Sequence, residues 1–222
     1  ASQRPSKVIY DRMNTGFTTC KTEDYDWEKI FDGAGYFHFT GITPALGESV
    51  AAVCLDACKM AKECGITVSC DLNYRKNLWT TEQAKATMER LLEYVDILIA
   101  NEEDAEKVLG ISAPDTDVTA GKLNKEGYVS VAKQICRKYG IPTVAITLRQ
   151  SISASDNNWS GMLYTNDTAY FSREYAVHLV DRVGGGDSFG AGLIFAIGHG
   201  FEPQKCIDHA VAASCLKQTM EW

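Results

Sequence analysis

From Gly35 onward, short runs of β-branched and aromatic residues alternate with longer runs in which apolar positions recur every three or four residues. The short runs predict strands at Tyr36–Thr40, Thr67–Asp71, Ile97–Ala100 and Thr143–Thr147. The longer runs predict amphipathic helices around Gly47–Cys64, Glu82–Leu92, Glu102–Leu109, Val129–Tyr139, Asp187–Gly198 and Pro203–Leu216. Strand and helix in alternation build parallel sheets with helical crossovers, so the expected class is α/β with a mostly parallel central sheet. Gly65, Gly110 and Gly140 each follow a helical run, where a left-handed C-terminal cap favours glycine. Near the end, Gly161–Tyr164 and Ala169–Ser172 flank Thr165-Asn166-Asp167, which reads as a hairpin added to the sheet edge.

Composition narrows the partners. The 222 residues are 45% hydrophobic and 23% charged, enough for one substantial core, with no repeat or low-complexity tract. A formal charge of −7 lacks the basic footprint that a nucleic-acid backbone requires, yet leaves room for a nucleotide held in a local electropositive pocket. The eight cysteines form no CxxC pair and fall mostly in predicted helix or strand, which favours free core thiols and a reducing cytosol over a zinc or disulfide framework. No apolar stretch approaches a membrane span, and the four histidines share no metal spacing; His38 reads as a core imidazole. Ala1 is not an initiator Met and an apolar run begins at Val8, so the chain is expected to be part of a larger protein.

In open parallel sheets, ligands gather beyond the carboxyl ends of the strands, where strand tips and helix N-termini converge. Four polar groups fall there: Asp71-Leu72-Asn73-Tyr74-Arg75, Asn101-Glu102-Glu103-Asp104, Thr147-Leu148-Arg149, and Gly184-Gly185-Gly186-Asp187. The three glycines let backbone approach a ligand, and their N–H groups at a helix start form a cradle for phosphate charge. An acid in that place would repel an anion, but it makes chemical sense as a base that takes the proton of an attacking hydroxyl, a role open to Asp187. A plain helix N-cap after a flexible turn accounts for the same four residues, as it does for Asn101 to Asp104.

The string Val180-Asp181-Arg182-Val183-Gly184-Gly185-Gly186-Asp187-Ser188-Phe189-Gly190-Ala191-Gly192 resembles the second signature of PfkB (ribokinase-like) carbohydrate kinases. Arg182 and Gly186 depart from the broad class and are similar to the bacterial 2-keto-3-deoxygluconate kinases. The resemblance extends in family order through Tyr10-Asp11-Arg12, Asp71–Arg75, Asn101–Asp104 and Thr147–Arg149. It implies a three-layer αβα fold, present here as one partial kinase domain over 1–222. It also implies transfer of the ATP γ-phosphoryl group to the 6-hydroxyl of the sugar acid.

Within that resemblance Asp187 is the base, and the amides of Gly184, Gly185 and Gly186 hold the charge of the moving phosphoryl group. Arg75 bridges the phosphoryl group and the sugar, unless it is an ordinary surface arginine. Tyr10 and Arg12 close over the sugar acid, with Arg12 pairing its carboxylate, a contact that a neutral sugar cannot make; a solvated loop residue is the alternative. Asn101, Thr147 and Arg149 contact ATP, although the glycines usual after Thr147 are missing; the hydroxyls of Ser151, Ser153 and Ser155 stand in their place, or the segment is a plain strand-to-hairpin loop. Asp104 orders Mg²⁺ through water with a side chain one methylene shorter than the family's glutamate, and Glu103 is placed to compensate. The resemblance further implies a dimer formed through the lid, and a first strand and most of that lid before Ala1. The complete protein is therefore expected to be a kinase and residues 1–222 alone to turn over little. Another PfkB-type kinase, for fructose, ribose or a deoxygluconate isomer, is the alternative within the class; a binding module without catalysis is the alternative outside it.

Overall fold

The computed structural model describes residues 12, 15–112 and 125–221. Among them, seven strands form a single sheet: β1 (Tyr36–Thr40), β2 (Thr67–Asp71), β3 (Ile97–Ala100), β4 (Thr143–Ser151), β5 (Asp156–Thr165), β6 (Thr168–Phe171) and β7 (Tyr175–His178). The order is β1-β2-β3-β4-β5-β6, with β7 also paired to β5. Strands β1 to β4 are parallel, and the pairings of β5 with β4, β6 and β7 are antiparallel.

The helices are α1 (Trp27–Ile30), α2 (Glu48–Glu63), α3 (Thr81–Leu92), α4 (Glu102–Leu109), α5 (Lys125–Tyr139), α6 (Gly185–Gly198) and α7 (Pro203–Gln218). Because strand side chains alternate between faces, each strand serves two cores. Phe39, Val68, Leu98, Val144 and Ile146 meet the apolar stripes of α2 to α5, including Ala57, Met88, Val108 and Ile135. On the other face Ile97, Ile99, Ala145 and Leu163 meet α6 and α7 through Phe189, Leu193, Ile207 and Val211. The sheet thus lies between two helical layers, the αβα arrangement that the family resemblance implied. At about 1.5–3 kcal/mol for each large side chain removed from water, these two layers fix the strand register.

The predicted strands β1 to β3 and the helices α2, α3, α4, α6 and α7 stand within a few residues of their expected places. The largest difference is the β4–β5 ladder. The strand predicted to end at Thr147 runs on to Ser151, and the segment after it is the loop of a long hairpin, as one reading of those serines had it, with a register from Thr143↔Thr165 to Ser151↔Asn157. Asn157 and Asn158 have poor strand propensity, and ladder pairing overrides it. The turn between β5 and β6 is Asn166-Asp167, both at positive φ (50° and 56°), the geometry of a two-residue type I′ hairpin. His38 is exposed on β1, which corrects its reading as a core imidazole; its ring is nevertheless partnered, with Nδ1 2.8 Å from Ser69 Oγ. All eight cysteines are free.

Candidate active site

Register places the chemistry along one edge. Thr40 pairs with Asp71, Asp71 with Ile99 and Ile99 with Ala145, so this row crosses the sheet just below the strand tips. Ile99 and Ala145 pack under α6, which puts Asp71 on the α6 face as well. The tips of β1 and β2 are stitched together: Gly41 N–H donates to the Asp71 carbonyl (2.8 Å), and Thr40 Oγ1 accepts from Asn73 Nδ2 (3.3 Å) and from Ile42 N–H (3.2 Å). Asn73 sits at φ 37° and its N–H donates to Asp71 Oδ1 (3.2 Å), a local turn that asparagine tolerates better than most residues.

The carboxylates share one electrostatic neighbourhood. Burial, then the charge of Asp104, pushes Asp71 up to about 7; Asp187 adds to the rise, while the Asn73 N–H and Arg75 oppose it. Burial pushes Asp104 up to about 6 against the Tyr74 amide and Arg75. Partial desolvation by its neighbours lowers His38, with the charge of Asp187 opposing. Asp71, Arg75, Asp104 and Asp187, from three separate sequence segments, therefore act on one another. Asp187 is the solvent-exposed carboxylate of the set, in the first turn of α6.

The glycine turn reaches α6 through Gly184 at φ 77°, a left-handed cap that a side chain would strain. Ser188 N–H donates to the Gly184 carbonyl (2.8 Å) and Gly185 N–H to the Arg182 carbonyl (3.2 Å). The Gly185 amide is therefore turned back into the protein, which corrects the expectation that all three glycine amides face a ligand. Among the described residues, the amides of Gly184, Gly186 and Asp187 have no partner. A Cβ on Gly186 would meet no atom within 4 Å, so the space in front of the turn is open. Arg182 reaches back to the β4–β5 hairpin tip, donating to the Ala154 carbonyl at 2.6 Å.

A cleft of about 470 Å³ is lined by Asn101, Glu103, Glu106, Tyr128, Thr147, Arg149 and Trp159. It gathers Asn101, Thr147 and Arg149, three of the residues predicted to contact the nucleotide, and Gly184 and Gly186 are not in its lining. Lys107, with smaller contributions from Lys76 and Arg149, holds the exposed Glu103 carboxyl below its usual range. Tyr128 and Trp159 were not predicted here; Trp159 lies directly across the ladder from Arg149, a position that only the hairpin register reveals. Its Nε1 is buried without a partner. A second groove of about 530 Å³, between α2 and α3, contains none of the predicted site residues.

Asn101 and Asp104 form the helix N-cap that the sequence allowed. Asn101 Oδ1 accepts from Asp104 N–H (2.8 Å), the N-cap bond of α4, and Asn101 Nδ2 donates to Asp104 Oδ2 (2.9 Å). Asp104 is 6% exposed and engaged by these bonds, and the described residues hold no group of three acidic, histidine or cysteine ligands. They do not form a cage for a resident metal. Arg75 is exposed at the strand tip and Arg12 is half-buried, while Tyr10 lies outside the described residues.

The model of the pfkB family carbohydrate kinases matches residues 3–220, almost the whole chain. The chain belongs to this family. Among solved structures, this pfkB chain is similar to 2-dehydro-3-deoxygluconokinase from Thermotoga maritima, with 54% identity and a TM-score of 0.91 over 100% of this chain and 65% of that one. A PfkB family carbohydrate kinase from Listeria grayi follows at 33% identity and a TM-score of 0.86, over 97% of this chain and 64% of that one. Among curated proteins, 2-dehydro-3-deoxygalactonokinase of Haloferax volcanii is 28% identical over 98% of this chain and 61% of its own length. The pfkB chain thus spans about three fifths of the relatives that it matches. No helix among its described residues is long and apolar enough to cross a membrane.

Proposed function

We propose that this chain carries the phosphoryl-transfer centre of an ATP-dependent kinase for a 2-keto-3-deoxy sugar acid. The observation that carries the reading is Asp187, exposed in the first turn of α6 immediately behind the open amides of Gly184 and Gly186. Asp187 accepts the proton of the substrate 6-hydroxyl as its oxygen attacks the γ-phosphorus. The P–O bond to the bridging oxygen breaks, and ADP leaves with that oxygen. The amides of Gly184, Gly186 and Asp187 meet the charge on the transferring group, and Arg75 supplies a cation between it and the sugar.

ATP occupies the cleft of Asn101, Thr147 and Arg149 and enters as its Mg²⁺ complex, so that the metal arrives with the substrate. Glu103, whose carboxylate is solvated, and Asp104 can reach it only through water. Arg12, with Tyr10 beside it in sequence, selects the sugar carboxylate. The relatives named for the gluco and galacto forms support the sugar-acid class and leave the epimer to experiment.

Coupled ADP release by the full-length protein, supplied in turn with 2-keto-3-deoxygluconate, 2-keto-3-deoxygalactonate, fructose and ribose, tests the substrate. Turnover confined to the two acids supports the reading; equal use of neutral sugars discards the acid class.

A further inference from the structure

The glycine turn is held from behind by residues to which neither the sequence motif nor the family resemblance gives a part. Ser214 is fully buried, and its hydroxyl donates to the Gly185 carbonyl at 2.7 Å. Gln218, 4% exposed, donates from Nε2 to the Ser214 carbonyl and to Ser214 Oγ, both at 3.2 Å. The backbone carbonyl of Gln218, one of those left over at the end of α7, accepts from Val180 N–H (2.9 Å) and Asp181 N–H (3.2 Å). The Gln218 Cγ fills the space behind Gly185, 3.1 Å from where a Cβ would stand. Lys217 Nζ lies 3.5 Å from Asp181 Oδ2, and Asp181 Oδ1 accepts from Val183 N–H at 2.9 Å.

These attachments grip the chain on both sides of Gly184, at residues 180–181 and at residue 185. A left-handed glycine turn has little stiffness of its own, because glycine is free to visit both signs of φ. Its open amides serve a developing charge only if they are fixed before the reaction, so that no reorganisation is needed during it. A buried serine and glutamine are also a costly choice in a helix–helix contact whose other buried residues are apolar. Here each polar group is satisfied by the next, in a chain that ends on the turn.

We propose that the last turn of α7, through Ser214 and Gln218, is the positioning device that holds the amides of Gly184, Gly186 and Asp187 in the orientation that receives the phosphoryl group. Both are positioning residues that act through the backbone of the turn and do not touch substrate. The kinetic part of this inference rests on the kinase reading above; the positional part does not.

The test uses Gln218→Met, which keeps the bulk behind Gly185 and removes the Nε2 donors, and Ser214→Ala, each in the full-length protein. Val211→Ala, in the same helix contact but outside the network, is the control. Hydrogen exchange is followed over residues 180–190, and kcat and KM are measured for sugar acid and ATP. The inference expects at least tenfold faster exchange at the hydrogen-bonded amides of the turn, Gly185 and Ser188, in both variants and not in the control. It also expects kcat to fall tenfold or more with KM for the sugar acid within twofold. Unchanged exchange overturns it, and so do losses in kcat, KM and melting temperature that match those of Val211→Ala. A wild-type protein that phosphorylates no sugar acid defeats the functional reading alone, and the exchange result still decides for or against the brace.

Discussion

Asp71→Asn is expected to flatten the pH dependence of stability. The substitution keeps the shape and an acceptor for the Asn73 N–H, which donates to Oδ1 at 3.2 Å, and removes only the titration. In the folded protein Asp71 titrates at about 7 against an ordinary 3.8, chiefly through burial. Between those values the folded state holds a proton that the unfolded state has released. This contribution to stability is therefore complete below about pH 4 and is lost as the pH rises through 7. Three pH units at about 1.4 kcal/mol each set an upper bound of about 4 kcal/mol, and solvent reaching this partly exposed carboxyl reduces it to about 2–3 kcal/mol. Urea unfolding of the intact protein between pH 5 and pH 8 measures it. The wild type should lose about 2 kcal/mol more than Asp71→Asn across that range, with the variant the more stable of the two at pH 8. Parallel curves would refute the reasoning.

Three further outcomes follow from the geometry. Gly41→Ala places a Cβ 2.1 Å from the Leu72 carbonyl oxygen, a backbone atom that cannot yield without parting the tips of β1 and β2; thermal unfolding should show a loss of about 2–4 kcal/mol. Asn101→Ala removes the α4 cap and one polar partner of Asp104, which should cost about 1 kcal/mol in urea unfolding and raise KM for ATP more than KM for the sugar acid. Arg12→Ala should raise KM for the sugar acid about tenfold or more while KM for ATP stays within twofold, as steady-state kinetics would show.

The parallel half of the fold was legible because its strands are short apolar runs separated by helices with clear stops; Gly110, for example, is a left-handed cap at φ 65°. The antiparallel half was less so. Nothing in Asp156-Asn157-Asn158 announces a strand, and β7 (Tyr175–His178) is too short for alternation to stand out. That gap hid Trp159 from the cleft. The site itself was legible as residue types at strand ends, since Asp71, Asn101, Thr147 and the glycine turn lie along one edge. The direction of a single amide was not. That Gly185 N–H turns inward to the Arg182 carbonyl depends on how α7 grips the turn, and α7 is distant in sequence from every motif. The elevated pKa of Asp71 likewise arises from burial and from Asp104, a neighbour that only the fold supplies.

The central claim is that Asp187 takes the proton of the attacking hydroxyl. Single-turnover transfer of the γ-phosphoryl group from ATP to 2-keto-3-deoxygluconate, by the full-length wild type and by Asp187→Asn, tests it most directly. The account predicts a fall of about 10²–10⁴-fold in the transfer rate, with ATP still bound at wild-type affinity. Transfer by Asp187→Asn at a rate within tenfold of the wild type would contradict it.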